Sequence, residues 1–169
     1  MPGERDPASV HDEVTIEGGF RLRGAVDLIE ERAVAATLRV TDHKTGRKPD
    51  RIDKVIVGGG AVLQPVLYGI AVEAALGQTV SQGRLFYCTA AGGYVEHQIP
   101  LNERTRAAGI EVLQVIDRAV ATGFLAAAPT EDACSRCDFR PVCGSEVFRR
   151  VNRKPPDRLA DLRALRSRP

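Results

Sequence analysis

Between Val14 and Gly46 the chain alternates apolar and polar positions with many β-branched residues, in VTIE, FRLRGAVDLIE and VAATLRVTDHKTG. Alternation of period two marks half-buried strands, and Gly18-Gly19 and Glu30 to Arg32 read as turns, which predicts three strands in an antiparallel meander. RKPDRIDKVIVGGG follows as a charged connection ending in a glycine turn. In AVLQPVLYGIAVEAALG the period changes, with Val62, Val66, Ile70 and Ala74 at helical spacing. Pro65 falls in the first turns, where a missing amide costs little, and Gly77 suits the position just past a helix end. RLFYCTA and YVEHQIP predict two more strands joined through AGG. NERTRAAGIEVLQVIDRAVATG predicts a second helix, with Asn102 as N-cap and Gly123 closing it.

The order is three strands, helix, two strands, helix and then CSRCDFRPVC, which predicts an α+β fold with α/β/α-like layers and a central mixed sheet. At 169 residues the chain suits one domain with an appendage. The divisions are a lead-in over 1–13, a core over 14–128, a cysteine-rich loop and short helix over 129–150, and a basic tail over 151–169. No internal repeat or low-complexity tract interrupts this plan.

Charge adds a positional bias. The formal net charge is only +2, yet 20 of the 24 basic residues are arginine, the side chain suited to bidentate phosphate contacts. From Arg140 to Pro169 nine basic residues face only Glu146, Asp157 and Asp161, the footprint of a phosphate-backbone contact or of a solvated, frayed end. No apolar stretch approaches the roughly 20 residues of a membrane span and no signal peptide is readable, so a cytoplasmic location is expected. In a reducing compartment, Cys134, Cys137 and Cys143 at Cys-x2-Cys-x5-Cys spacing suggest metal binding rather than disulfides. Cys88, on a predicted strand, is the commoner buried apolar cysteine.

Candidate chemistry concentrates in VTDHKTG. Side chains two apart on a strand share a face, so Asp42 and Lys44 converge while His43 turns away. Asp27, in RGAVD on the preceding predicted strand, can reach the same end of the pair. Two carboxylates suit a hard divalent cation, and a lysine beside it can orient water and stabilise charge on a phosphoryl group. An Asp-x-Lys arises by chance in roughly every second chain of this size, so its company decides its weight.

That company resembles the PD-(D/E)XK nuclease superfamily, in its RecB-like branch. The resemblance is carried by RGAVD, VTDHKTG, QPVLYGIA and CSRCDFRPVC, in that order, and spans roughly Val14 to Arg150. It implies a restriction-endonuclease-like core hydrolysing phosphodiester bonds of DNA with Mg²⁺ or Mn²⁺, as an exonuclease on single-stranded ends in repair or recombination. Asp27 and Asp42 would bind the metal with the backbone carbonyl of His43, Lys44 would be the catalytic lysine, and Gln64 and Tyr68 would orient it or touch the strand. Tyr68 also reads as a core-edge aromatic.

Members of the branch with an iron-sulfur cluster hold 4Fe-4S with three trailing cysteines and one upstream. Cys134, Cys137 and Cys143 resemble the trailing triplet, with zinc as the competing occupant and the fourth ligand unidentified. The leading segment that usually carries the upstream cysteine and a histidine is not matched, and His11 does not take that histidine's place. His97 reads as an ordinary surface or sheet residue. A helicase subunit or a missing N-terminal segment is the implied partner. Two other readings stand beside the enzyme: a catalytically silent DNA-binding or docking module, and a zinc-stabilised structural domain.

Overall fold

The computed structural model describes residues 13–32, 36–50, 52–130 and 133–169. The lead-in over 1–12, with His11, lies outside the described residues. Two compact units divide the chain, one reaching to Leu113 and including Arg168–Pro169, the other running from Gln114 to Ser167.

The first unit opens with β1 (Val14–Thr15) paired antiparallel to β2 (Arg21–Leu22) in a two-stranded sheet. Next come β3 (Leu28–Arg32), β4 (Thr37–Lys44), helix α1 (Gln64–Leu76), β5 (Val80–Tyr87), β6 (Val95–Pro100) and helix α2 (Glu103–Ala121), of which the part up to Leu113 belongs to this unit. The four later strands form one sheet in the order β3-β4-β5-β6, antiparallel at its two outer pairings and parallel between β4 and β5. A parallel pair needs a crossover, and α1 supplies it. The sheet is mixed and accompanied by helices, as the order of elements predicted.

Three expectations change. The strand expected over 20–30 is two strands in two different sheets, and the link between them leaves Asp27 just ahead of β3 rather than on a strand. Glu30 to Arg32, expected as a turn, belong to β3, because Glu30 and Arg39 are paired across the ladder; residues 33–35, in the actual connection, lie outside the described residues. β5 begins at Val80 rather than Arg84 and ends before Cys88. Ser81 and Gln82 hid that start by their polarity, and Gly83 by reading as a breaker. A Cβ at Gly83 would run into the backbone of Pro65, so this glycine lets α1 lie directly on β5.

Leu38 and Val40 of β4 join Val72, Val80 and Leu101 in one buried cluster, with Val26 and Tyr68 packed against it. Ile52, Leu85 and Tyr87 form a second, with Val55 and Val62 against it. The face of β4 that carries Leu38 and Val40 also carries Asp42 and Lys44, while Arg39, Thr41 and His43 occupy the opposite face. Helix α2 opens as predicted: Asn102 Oδ1 accepts from the Thr105 amide at 3.1 Å, and Thr105 Oγ1 accepts from the Asn102 amide at 2.9 Å. His97 is buried rather than superficial, its Nε2 2.8 Å from the Val55 carbonyl, and so fastens the connection before α1 to β6.

The second unit contains α3 (Arg140–Cys143), α4 (Val147–Asn152) and α5 (Ala160–Arg166), and buries Val147, Leu159 and Leu165. The Arg158 guanidinium stands 4.2 Å over the Phe124 ring, and Arg118 pairs with Asp161. Much of the basic tail is thus helical. Among the described residues no helix is long and apolar enough to cross a membrane.

Candidate active site

The end of β4 gathers the expected acid and lysine. Asp42 is 5% exposed and its Oδ2 lies 2.7 Å from Lys44 Nζ. The contact has ion-pair distance without hydrogen-bond alignment, so Asp42 Oδ2 is the one buried side-chain oxygen, among the described residues, left without a hydrogen bond. Buried polar atoms are almost always partnered, and an exception needs a reason. Lys44 Nζ is itself held from the other side, donating to Gln64 Oε1 at 2.6 Å. Gln64 is the first residue of α1, so the helix start delivers an amide to the lysine.

Asp27 reaches the end of β4 by a different route. The pairing Leu28↔Thr41 puts Asp27 across from the end of β4, where its Oδ2 accepts from the His43 amide at 2.8 Å. The carboxylate substitutes for the next backbone acceptor that β3 does not supply. In an extended strand a residue's N–H and C=O leave by the same edge, so the His43 carbonyl faces the Asp27 side as well. The His43 side chain leaves by the opposite face, where its ring meets Phe86 edge-on with centroids 5.9 Å apart and its Nδ1 lies 3.6 Å from Asp27 Oδ2.

Tyr68, one turn beyond Gln64, packs its ring on the cluster around Leu38 and Val40. Sequence reasoning passed over Tyr87, the β5 register partner of Lys44. Burial raises the pKa of its phenol, with Lys44 pulling it down and Asp42 pushing it up. A tyrosine inside an apolar strand gives no sign of this neighbour, because only the parallel β4–β5 register creates it.

Behind this site, on the other face of the sheet, lies a charged network. Glu30 accepts from Arg39 Nε at 3.0 Å and Nη2 at 2.8 Å, from Thr41 Oγ1 at 2.8 Å and from Arg84 Nη2 at 2.8 Å. Arg84 also reaches Glu96 at 3.0 Å. The Arg39 hydrogen bonds, with help from Thr41 and the Arg84 charge, hold the Glu30 carboxyl below the usual glutamate range, and Glu30 raises Arg39 in turn. One carboxylate ties β3, β4 and β5 together immediately behind Asp42.

The residues at the end of β4 have the chemistry of a hard-cation donor set, two carboxylates and a main-chain carbonyl being oxygen donors, and Asp42 Oδ2 has no hydrogen-bond partner beyond the ion pair with Lys44. The cysteines do not assemble a comparable site. Cys134 sits on the 3-10 turn Ala133–Arg136, Cys143 closes α3, Cys137 is exposed between them, and all are free thiols. Among the described residues no three His, Cys, Asp or Glu side chains are arranged to hold a metal ion, so the structure does not support the 4Fe-4S expectation. Cys88 lies just past β5, and its amide donates to the Lys44 carbonyl at 3.1 Å.

Residues 3–144 match the family model described as the PD-(D/E)XK nuclease superfamily. A comparison with curated proteins finds no match. The matched span includes both aspartates, the lysine, Gln64 and the whole mixed sheet, and the chain belongs to the PD-(D/E)XK nuclease superfamily.

Proposed function

We infer that this protein is a metal-dependent deoxyribonuclease, acting as an exonuclease on single-stranded ends in DNA repair or recombination, with the end of β4 as its active site. The observation that carries the reading is the buried Asp42 carboxylate paired at 2.7 Å with a lysine that Gln64 holds in place, its Oδ2 having no further hydrogen-bond partner. Asp27, Asp42 and the His43 carbonyl would hold Mg²⁺ or Mn²⁺. When bound, such an ion neutralises charge on the phosphoryl oxygens and lowers the pKa of water for attack.

The chain's own residues do the rest. An ammonium has three donors. Gln64 Oε1 accepts one from Lys44, and the Asp42 charge lies alongside, so the group is aimed toward the carboxylate and keeps a donor for the attacking water or a phosphate oxygen. Positioning of this kind converts a diffusional encounter into a near-attack geometry. Asp27, fastened to the His43 amide, fixes the second carboxylate relative to the first. The arginine-rich composition supports a polyanionic substrate.

The test is a cleavage time course on end-labelled single- and double-stranded DNA with Mg²⁺, Mn²⁺ or EDTA, comparing wild type with Lys44→Ala. Metal-dependent cutting that starts from single-stranded ends and is lost in Lys44→Ala is expected. Cutting by Lys44→Ala at the wild-type rate would overturn the site. DNA retention without cleavage under any metal condition would favour a catalytically silent binding module.

A further inference from the structure

The glycine turn between β4 and α1 has an unusual occupant. The Val57 and Gly58 amides both donate to the Pro169 main-chain oxygen, at 2.8 and 3.1 Å, and the Gly59 amide donates to the Arg168 oxygen at 3.1 Å. Three consecutive N–H groups thus point at one pair of oxygens. The backbone allows it because Gly58 and Gly59 have φ of +53° and +62°, after a Val57 at −120°. Successive amides in such a conformation form a concave nest that favours anions. A side chain at Gly58 would be strained and would press on Val62, 2.9 Å from the position of its Cβ.

The nest is anchored to the active site rather than hung on a free loop. Val57 is 1% exposed, Val55 and Val62 pack against Leu85 and Tyr87, and His97 ties down the Val55 carbonyl. Tyr87 is the register partner of Lys44, and Gln64, two residues past Val62, binds Lys44. What holds the tail there is modest: three backbone hydrogen bonds and an ion pair between Arg168 and Glu111, whose side chains are 38% and 42% exposed.

We propose that the Val57–Gly59 nest is an oxyanion site that takes a phosphate of the nucleic-acid strand entering the active site, and that Arg168 and Pro169 occupy it as a displaceable internal ligand. The identity of the strand rests on the nuclease reading; the oxyanion site does not. Displacing the tail frees the three amides for a phosphate of the strand, and until then the tail competes with substrate.

The test follows the backbone amide resonances of the full-length protein in EDTA, where no cleavage occurs, during titration with inorganic phosphate and then with a short single-stranded DNA. Both ligands are expected to shift Val57, Gly58 and Gly59 together with Arg168. In Glu111→Gln, which releases the Arg168 ion pair, both are expected to bind about two- to fivefold tighter, the worth of an exposed pair. No shift at the three amides, or unchanged affinity in Glu111→Gln, overturns the proposal. A response to phosphate but not to DNA overturns its strand half. Since no step in the titration requires cutting, an inactive protein whose nest amides still shift would refute the nuclease reading alone.

Discussion

The two faces of β4 treat a carboxylate withdrawn from solvent in opposite ways, Glu30 in part and Asp42 almost wholly. On one, Glu30 reaches across from β3 and is saturated by Arg39, Thr41 and Arg84. On the other, Asp42 is more deeply buried, yet one of its oxygens has no hydrogen bond and its single close charge belongs to a lysine shared with Gln64. Folding alone would favour the first arrangement everywhere, because an unsatisfied buried acceptor costs about 1–3 kcal/mol. This deficit, one residue from a fully satisfied network, is the contrast on which the proposed ion-holding role of Asp42 rests.

The largest expected effect breaks the unsatisfied side. Asp42→Asn removes a charge that the proposed ion-holding set needs, and cleavage is expected to fall by at least about a thousandfold, the scale on which losing one preorganised electrostatic group acts. Stability should move the other way or not at all, since the folded state no longer buries an incompletely partnered charge. Thermal unfolding and cleavage rates of the same preparation check both halves. A large drop in melting temperature would show that Asp42 is structural and remove the contrast.

Glu30→Gln breaks the satisfied side. The loss leaves Arg39 and Arg84 half-buried without their carboxylate, and at a partly exposed site an unfolding free-energy loss of about 1–2 kcal/mol is expected. Cleavage per folded molecule should change far less than in Asp42→Asn. Urea denaturation gives the first quantity and active-fraction kinetics the second. If Glu30→Gln abolishes cleavage while staying fully folded, the network belongs to the catalytic machinery and the two faces are one site.

These faces differed in how far they could be read in advance. Asp42 and Lys44 were legible because a period of two is local: residues 42 and 44 share a face wherever the strand goes. Gln64 enters only through the family resemblance of QPVLYGIA, since nothing in the helical pattern itself points it at a lysine twenty residues earlier. The mixed sheet followed from the order of strands and helices, and the crossover through α1 makes β4 and β5 parallel. Asp27 was found for its residue type but placed on a strand, whereas it works from a link, using its side chain as a backbone acceptor. A charged Glu-Glu-Arg run at Glu30 looks solvated and suggests a turn; only the pairing of β3, β4 and β5 brings Arg39 and Arg84 onto Glu30. The same polar face disguised the first half of β5. Long-range pairing carries no local signature, so it hid the network, the Tyr87–Lys44 neighbourhood and the seat of Arg168–Pro169 together.

The smallest expected effect separates the faces by pH. Hydrogen bonds from Arg39, then Thr41 and the Arg84 charge, hold Glu30 below the ordinary glutamate value in the folded protein. Glu96 is lowered likewise, first by its hydrogen bond to Arg84. A carboxyl with a depressed folded pKa binds its proton more readily when unfolded, so its contribution is complete above the unfolded value of about 4.3 and disappears as pH falls through the lower folded value. Urea unfolding from pH 6 down to pH 3 should therefore show stability falling with acidification, with a shallower slope in Glu30→Gln. Equal slopes for the two proteins would mean that the Glu30 carboxylate is no better stabilised folded than unfolded. The saturation that distinguishes it from Asp42 would then have no energetic content.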